Sequence, residues 1–312
     1  MEKIMLSGDC QCDIPCVATI GFFDGVHRGH RFLIDGVVGE ARRRSLSSMV
    51  ITFDRHPRQV LGSDYIPRLL STNDEKMWLL SKTGIDRCAV LPFSEGMAQL
   101  TARDFMEQIL KERLGVRVLV IGYDNRFGHN RSEGFDDYVR HGRGMGIEVL
   151  PSQPFRLHGV DVSSSVVRSF LRDGEVEMAR QCLGYPYFLS GTVVGGHHVG
   201  RELGFPTANI EPENMLKIIP ASGVYAVRVR TEGSAETRPA MMNIGTRPTF
   251  GGTEQSLEVH ILGFSGDIYG RRISVTFVRK IRAERRFASK EALAGQLRRD
   301  AAAAAECLRQ NG

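Results

Sequence analysis

The chain has 312 residues, 42% of them hydrophobic and 25% charged, with a formal charge of +5. That length favours two domains over one core, and the balance of residues excludes a disordered or low-complexity chain. No apolar run is long enough to cross a bilayer and the opening MEKIMLSGDCQCD holds no signal-peptide core, so a cytoplasmic protein without a membrane partner is expected.

From Pro15 to about Leu150 apolar runs alternate with amphipathic ones, the pattern of a parallel sheet covered by helices. CVATIG, SSMVITF, DRCAVLPF, VRVLVIG and GIEVLP read as strands. Helices are expected over His30–Arg44, Thr72–Ser81, Thr101–Leu114 and Ser132–Arg143. Thr72 with Glu75 three residues on forms a capping box, and Thr101 with Asp104 is an acidic variant of it. Arg42, Arg43 and Arg44 fall where a helix ends, a place that its dipole makes favourable for cations. SSSVVRSFLRDG and GEVEMARQCLG continue as helices, and a domain boundary follows at Gly184–Tyr187.

Beyond it the helices stop. YFLSGTVV, GVYAVRVRT, RPAMMNIG, SLEVHILGF and RISVTFVRKI are short alternating strands punctuated by Gly and Pro, as in a small barrel or sandwich with one wet face. A final helix, Ser289–Gln310, carries Leu293, Leu297, Ala301, Ala304 and Leu308 as a stripe that can dock on that barrel. The expected architecture is α/β plus β-barrel: a Rossmann-like domain over residues 1–184 and a small antiparallel barrel with a terminal helix over 185–312. The six cysteines are scattered and read as reduced thiols. Cys10, Cys12 and Cys16 lack a fourth ligand at zinc spacing. The basic surplus suits phosphate esters as readily as nucleic acid, but no aromatic-plus-basic motif points to a nucleic-acid partner.

GFFDGVHRGH, Gly21 to His30, follows the first of these strands and enters a helix. Its glycines let the backbone approach a ligand closely, the helix N-terminus presents unpaired N–H groups, and His27 and His30 lie one turn apart, so an anion is the natural ligand. Two imidazoles there can stabilise charge that builds during displacement at phosphorus. The decamer resembles the paired-histidine nucleotidyltransferases, in the version found in FAD synthetases. The resemblance implies ATP contacts at Gly21, Phe22, Phe23, Asp24 and Gly29. It extends to ITFDRHP, with Asp54, His56 and Pro57, and to GYDNRFGHNRSEG, where Asp124, Phe127, Gly128 and Arg131 match a loop that shapes the nucleotide and flavin sites. Asn125 stands where that family usually has an aromatic. SSSVVR is a good N-cap by itself; the resemblance adds ATP-phosphate contacts for Ser164 and Ser165 and a catalytic role for Arg168.

GTVVGGHHVGRELGFPTANI leaves a strand for a glycine-rich loop and a Pro-Thr-Ala-Asn turn. Gly195, Gly196 and Gly200 free the backbone to wrap an anion; Thr207 and Asn209, two apart, share a face in extended chain and offer hard oxygens of the kind Mg²⁺ accepts beside phosphates. No Walker lysine follows, and the adjacent His197 and His198 point in different directions and read as a solvated cationic loop. This segment resembles the flavokinases, as do GVYAV, NIGTRPTFGG, LEVHIL and IYGRRISVTFVRKIRAERRF. The resemblance implies ATP contacts at Gly196, Gly200, Arg201 and Thr207, a magnesium site at Thr207 and Asn209, Glu258 as general base, and flavin contacts at Arg282 and Glu284, with Asp124 and Phe127 contributing to the flavin site of the other half. Alternation alone leaves Glu258 facing either solvent or an active-site mouth.

The order of motifs matches the bifunctional bacterial riboflavin kinase/FAD synthetases. That family would phosphorylate riboflavin to FMN and adenylylate FMN to FAD, with ATP as co-substrate in both steps. A single-activity cytidylyl- or adenylyltransferase with a ligand-binding barrel, or a flavin-binding or RNA-binding regulator without activity, would each leave Thr207, Asn209 and Glu258 without a task.

Overall fold

The computed structural model describes residues 1–6, 11–12, 14–60, 62, 68–195, 204–249 and 252–310; the side chains of 57–58, 247–249 and 252–254 are outside that description. The chain divides into two compact units, Met1–Ser164 and Ser165–Gly312.

The first unit is built on a six-stranded sheet in the order β1-β4-β3-β2-β5-β6. Its strands are β1 (Glu2–Met5), β2 (Cys16–Ile20), β3 (Ser47–Phe53), β4 (Arg87–Leu91), β5 (Val116–Ile121) and β6 (Glu148–Pro151), all parallel. Every residue of β2 and β4 is buried, Thr19 and Arg87 included, and the rest of each strand reads as a near-continuous apolar run. From β2 the chain winds to β3 on one side and later to β5 on the other. The C-terminal end of β2 is therefore the crevice where open α/β sheets take their ligands. The helices over Arg28–Arg44, Asn73–Leu80 and Phe135–Met145 fall where expected, and Thr72 and Glu75 close their capping box. The segment after Thr101 widens: Ala102–Asp104 is α-helical, and Phe105–Lys111 has π-helical bonding.

The sequence reading missed β1. It pairs with β4 at the sheet edge and turns only Ile4 toward the core, so it lacks the apolar run of a central strand. A two-residue-per-strand hairpin, β7 (Arg156–Leu157) and β8 (Val160–Asp161), also joins the unit. Its turn residues His158 and Gly159 both have positive φ, the condition for a tight hairpin of matching twist.

The helices Ser164–Asp173 and Val176–Leu183 lead into a closed six-stranded barrel in the order β10-β13-β12-β11-β14-β9. Its strands are β9 (Phe188–Val194), β10 (Ala208–Pro212), β11 (Gly223–Thr231), β12 (Arg238–Thr249), β13 (Gly252–Ile261) and β14 (Arg272–Arg282), all antiparallel. Five were expected. The sixth, β10, begins inside the stretch read as a Pro-Thr-Ala-Asn turn, whose Ala208 and Asn209 it contains: it is short, and only its pairing with β9 and β13 makes it a strand. β11 is also not simply apolar on one face and wet on the other. Tyr225, Val227 and Val229 are buried, and so are Val224 and Ala226 of the alternate set; Ala226 packs with Met241 and Val278 against the C-terminal helix Lys290–Gln310.

Leu297, Ala301, Ala304 and Leu308 of the expected stripe pack with that cluster, but the helix buries more than the stripe. Ala304 and Leu308 are buried, but so are Gln296 and Asp300. Asp300 accepts from Arg282 Nε at 3.0 and 3.1 Å, from Arg282 Nη2 at 2.7 Å and from Gln296 Nε2 at 2.7 Å. Replacing Asp300 by Ala strands a largely buried guanidinium, so the variant should lose about 3 kcal/mol of stability, read as a lower urea midpoint for the barrel unit. An unchanged midpoint would make the pair decorative.

Candidate active sites

At the end of β2 the backbone bends sharply: Phe23, Gly25 and Val26 have φ of 54°, 75° and 37°. Side chains from neighbouring elements hold the bend. Thr52 Oγ1 donates to the Phe22 carbonyl at 3.1 Å, and Gly25 N–H donates to Ser71 Oγ at 2.9 Å. Asp24, 3% exposed, accepts from the Leu70 and Ser71 amides at 2.9–3.0 Å and from the Ser71 hydroxyl at 3.2 Å. Its carboxylate is thereby turned to the 70–71 segment.

His27 is the N-cap of the next helix. Its Nδ1 accepts the His30 amide at 3.3 Å, which puts the proton of the neutral ring on Nε2. The His27 and His30 rings stack at 3.6 Å and 19°, and Phe23 meets His30 edge-on at 5.1 Å. His27 is buried and His30 half-buried. Gly29 is required between them, because a Cβ there would lie 2.7 Å from the Val162 carbonyl oxygen. The serine segment also comes to this turn: Ser164 Oγ donates to the Asp24 carbonyl at 3.1 Å. Ser165 is exposed and Arg168 buried. Ser164 and Arg168, four apart on one helix, share a face.

The other predicted residues divide. Asp54 uses Oδ1 to accept the Phe93 amide at 2.9 Å. His56 meets the Phe22 ring edge-on at 4.8 Å. Asp124 is exposed, whereas Phe127 stacks on Tyr138 at 4.2 Å and packs against the core. Asn125, at the usually aromatic place, donates its amide to the Ile20 carbonyl and so ties this loop to the end of β2. Lys76 was not singled out from the sequence, where it is one more polar residue on an amphipathic helix. It is 2% exposed, with Nζ bonded to the Phe53 carbonyl at 2.9 Å and Thr52 Oγ1 at 3.3 Å, and 4.3 Å from the centre of the Phe22 ring.

In the barrel, cross-strand register assembles the second constellation. Asn209 of β10 and Asn243 of β12 both pair with Glu258 of β13, giving a row Asn209-Glu258-Asn243. Leu257 and Val259 turn into the barrel and are buried; Glu258 and His260 point outward, but not to open solvent. Glu258, Asn243, His260, Arg282 and Thr207 line a cavity of about 240 Å³, closed on one side by Leu293 and Leu297 of the C-terminal helix. A second cavity, about 780 Å³, is lined by Pro206, Ala208, Phe264, Ile268 and Tyr269, and by Thr207 as well. Thr207 is thus a wall common to both.

His260 steadies that wall. Its Nδ1 donates to the Pro206 carbonyl at 2.8 Å, and its ring meets Phe205 edge-on at 5.2 Å. Glu284 takes a long bond, 3.5 Å, from the Thr246 hydroxyl. Arg282 borders the cavity while Nε and Nη2 donate to Asp300 and Nη1 donates to the Ala283 carbonyl at 3.0 Å. Gly196, Gly200, Arg201, His197 and His198 lie outside the described residues. Asn243 and His260 were missed as individual residues; the signal of Asn243 is its pairing with Glu258, and that of His260 is its place two residues after Glu258 on the same face of β13.

Residues 9–166 match the family model described as FAD synthetase, and residues 183–308 the one described as riboflavin kinase. A bifunctional riboflavin kinase/FMN adenylyltransferase of Escherichia coli K12 is 42% identical over 291 residues, 93% of this chain and 92% of that protein. The protein of the same description from Pseudomonas fluorescens is 38% identical over 290 residues, again 93% and 92% of the two chains. A crystal structure from Streptococcus pneumoniae, described as a macrolide-efflux protein, superposes with a TM-score of 0.87 at 31% identity over 96% of this chain and 97% of that one. That description is of the other protein; among the described residues here no helix is long and apolar enough to cross a membrane. With both family models matched in order and relatives aligned along nearly the whole length, the chain belongs to the bifunctional riboflavin kinase/FMN adenylyltransferases, which make FMN from riboflavin and FAD from FMN with ATP as co-substrate.

Proposed function

We propose that the two reactions divide between the halves, FMN adenylylation in residues 1–184 and riboflavin phosphorylation in 185–312, and that the residues identified above carry them. In the barrel half the 5′-hydroxyl of riboflavin reaches Glu258 in the smaller cavity and the ATP phosphates approach from the larger one, past Thr207. Glu258 takes the hydroxyl proton as the new O–P bond forms and ADP leaves. Thr207 and Asn209 supply neutral hard oxygens beside a carboxylate, a donor set that fits Mg²⁺ shared with phosphates and water. When bound there, the ion would neutralise phosphate charge. The residues themselves orient the nucleotide and hold the proton. Arg282 and Glu284 border the flavin.

In the other half the acceptor is the FMN phosphate, already ionised, so no base is required. One of its oxygens attacks the α-phosphorus of ATP and pyrophosphate departs. Gly21, Phe22, Phe23, Asp24 and Gly29 form the turn that receives the nucleotide, with Ser164 and Ser165 beside it. His27, His30 and Arg168 stabilise the charge on the reacting phosphate, and Asp124 and Phe127 belong to the flavin side. Riboflavin, FMN and ATP are the small-molecule partners; nucleic acid and membrane are not, and the protein works in the cytoplasm.

The observation that carries this reading is the register that sets Glu258 between Asn209 and Asn243 on the cavity bounded by Thr207. Purified protein incubated with riboflavin, ATP and MgCl₂, with flavins separated by chromatography, should accumulate FMN and then FAD. FMN supplied directly should yield FAD and pyrophosphate. Riboflavin converted without an FMN intermediate, or loss of both products when magnesium is present and the protein folded, would refute it.

A further inference from the structure

A lysine that is 2% exposed at the centre of a unit needs a reason. Burial drives the Lys76 ammonium down to about 8, with Asp24, Cys88 and Asp54 opposing that shift. An unfolded lysine titrates near 10.5, so the folded chain binds fewer protons between those values. Its burial opposes folding in full below about pH 8, and the penalty fades as pH rises toward 10.5. An apolar residue at this place would avoid that cost, and residues that cost stability in this way gather at functional sites.

The surroundings identify the task. Lys76 stands between the end of β3 and the GFFDG turn. Nζ donates to the Phe53 carbonyl and to Thr52 Oγ1, and the same Thr52 hydroxyl donates to the Phe22 carbonyl. The ammonium lies over the face of the Phe22 ring, whose edge is met by His56. Two links, one through a hydroxyl and one through a ring face, thus run from Lys76 to a single residue at the start of the turn. A cation over an aromatic face away from water is a strong contact, and a buried side-chain network rigidifies what it touches. We infer that Lys76 is the positioning residue of the adenylyl-transfer site, its charge fixing Phe22 and with it the turn that receives ATP ahead of His27 and His30.

This rests on the assignment of adenylyl transfer to the N-terminal half. The charged and titratable groups that face Lys76 are Asp24 from the turn, Asp54 from beyond β3 and Cys88 from β4. Above the lysine's titration the neutral amine keeps donors for Phe53 and Thr52 but loses its attraction for the ring. The rate constant kcat/KM, which reports the free enzyme, is therefore the quantity to follow.

The test measures FMN-to-FAD conversion with ATP varied, from pH 6.5 to 9.5, in wild type, Lys76→Met and Lys76→Arg, with riboflavin phosphorylation by the same preparations as reference. Wild type should lose FAD-forming kcat/KM as pH rises through about 8, and the kinase reaction should not share that limb. Lys76→Met should be reduced about 30-fold at pH 7 and flat through the same range. Lys76→Arg should retain activity and carry no such limb. A folded Lys76→Met with the wild-type rate, or one that keeps the alkaline limb, would overturn the inference. If either variant does not fold, wild type decides: no fall in its FAD-forming kcat/KM up to pH 9.5 overturns the inference equally. Absence of FAD at every pH would instead overturn the assignment of adenylyl transfer to this chain.

Discussion

Glu258→Gln should lower riboflavin phosphorylation by roughly 10²–10⁴-fold while FMN-to-FAD conversion continues at the wild-type rate. The amide keeps the size of the side chain and its place between Asn209 and Asn243, so strand pairing survives. What it removes is the ability to accept a proton from a primary alcohol. The loss should fall mainly on kcat, since the cavity beside Thr207 is unchanged and ground-state binding with it. The control is internal: one preparation, one chromatogram, two substrates. A kinase rate within a few-fold of wild type would remove Glu258 as the base, and simultaneous loss of both reactions in folded protein would dissolve the division between the halves.

His30→Ala should do the reverse, reducing FAD formation from FMN by roughly 10²–10³-fold and leaving FMN formation intact. His30 is the middle of three linked rings, with Phe23 edge-on to it at 5.1 Å and His27 stacked on it at 3.6 Å. The backbone N–H that His27 accepts remains in the alanine variant, so the helix cap is preserved and the change is confined to the missing imidazole. Pyrophosphate release should fall in step with FAD. Folded His30→Ala that adenylylates FMN normally would show that the helix N-terminus and the glycine turn suffice without this ring.

Much of this was legible in the residues because the features are local. Strands buried on both faces, such as β2 and β4, announce themselves as near-continuous apolar runs, and the density of glycine and histidine from Gly21 to His30 marks a strand-to-helix turn whatever the rest of the chain does. The features that escaped depend on partners distant in sequence. β1 and β10 are strands only because β4, β9 and β13 offer them hydrogen bonds. Lys76 is polar by composition and buried by circumstance, since the Phe22 ring and the Phe53 carbonyl converge on it from other elements. Gln296 and Asp300 interrupt an apolar stripe for the same reason: Arg282 on β14 faces them. Phe127 lies flat on Tyr138, a contact that no pattern within its own loop could foretell.

The row Asn209-Glu258-Asn243 exists by pairing alone, and the strands that bear it belong to a closed ring. A one-residue slip of β13 would trade Glu258 and His260 for Leu257 and Val259 on the outer wall, and with no free edge the misfit would be handed on from strand to strand. Insertions and deletions are therefore barred from these segments and left to turns such as Glu232–Ser234. Evolution or an engineer seeking a new acceptor for this barrel must work by exchanging side chains at constant chain length.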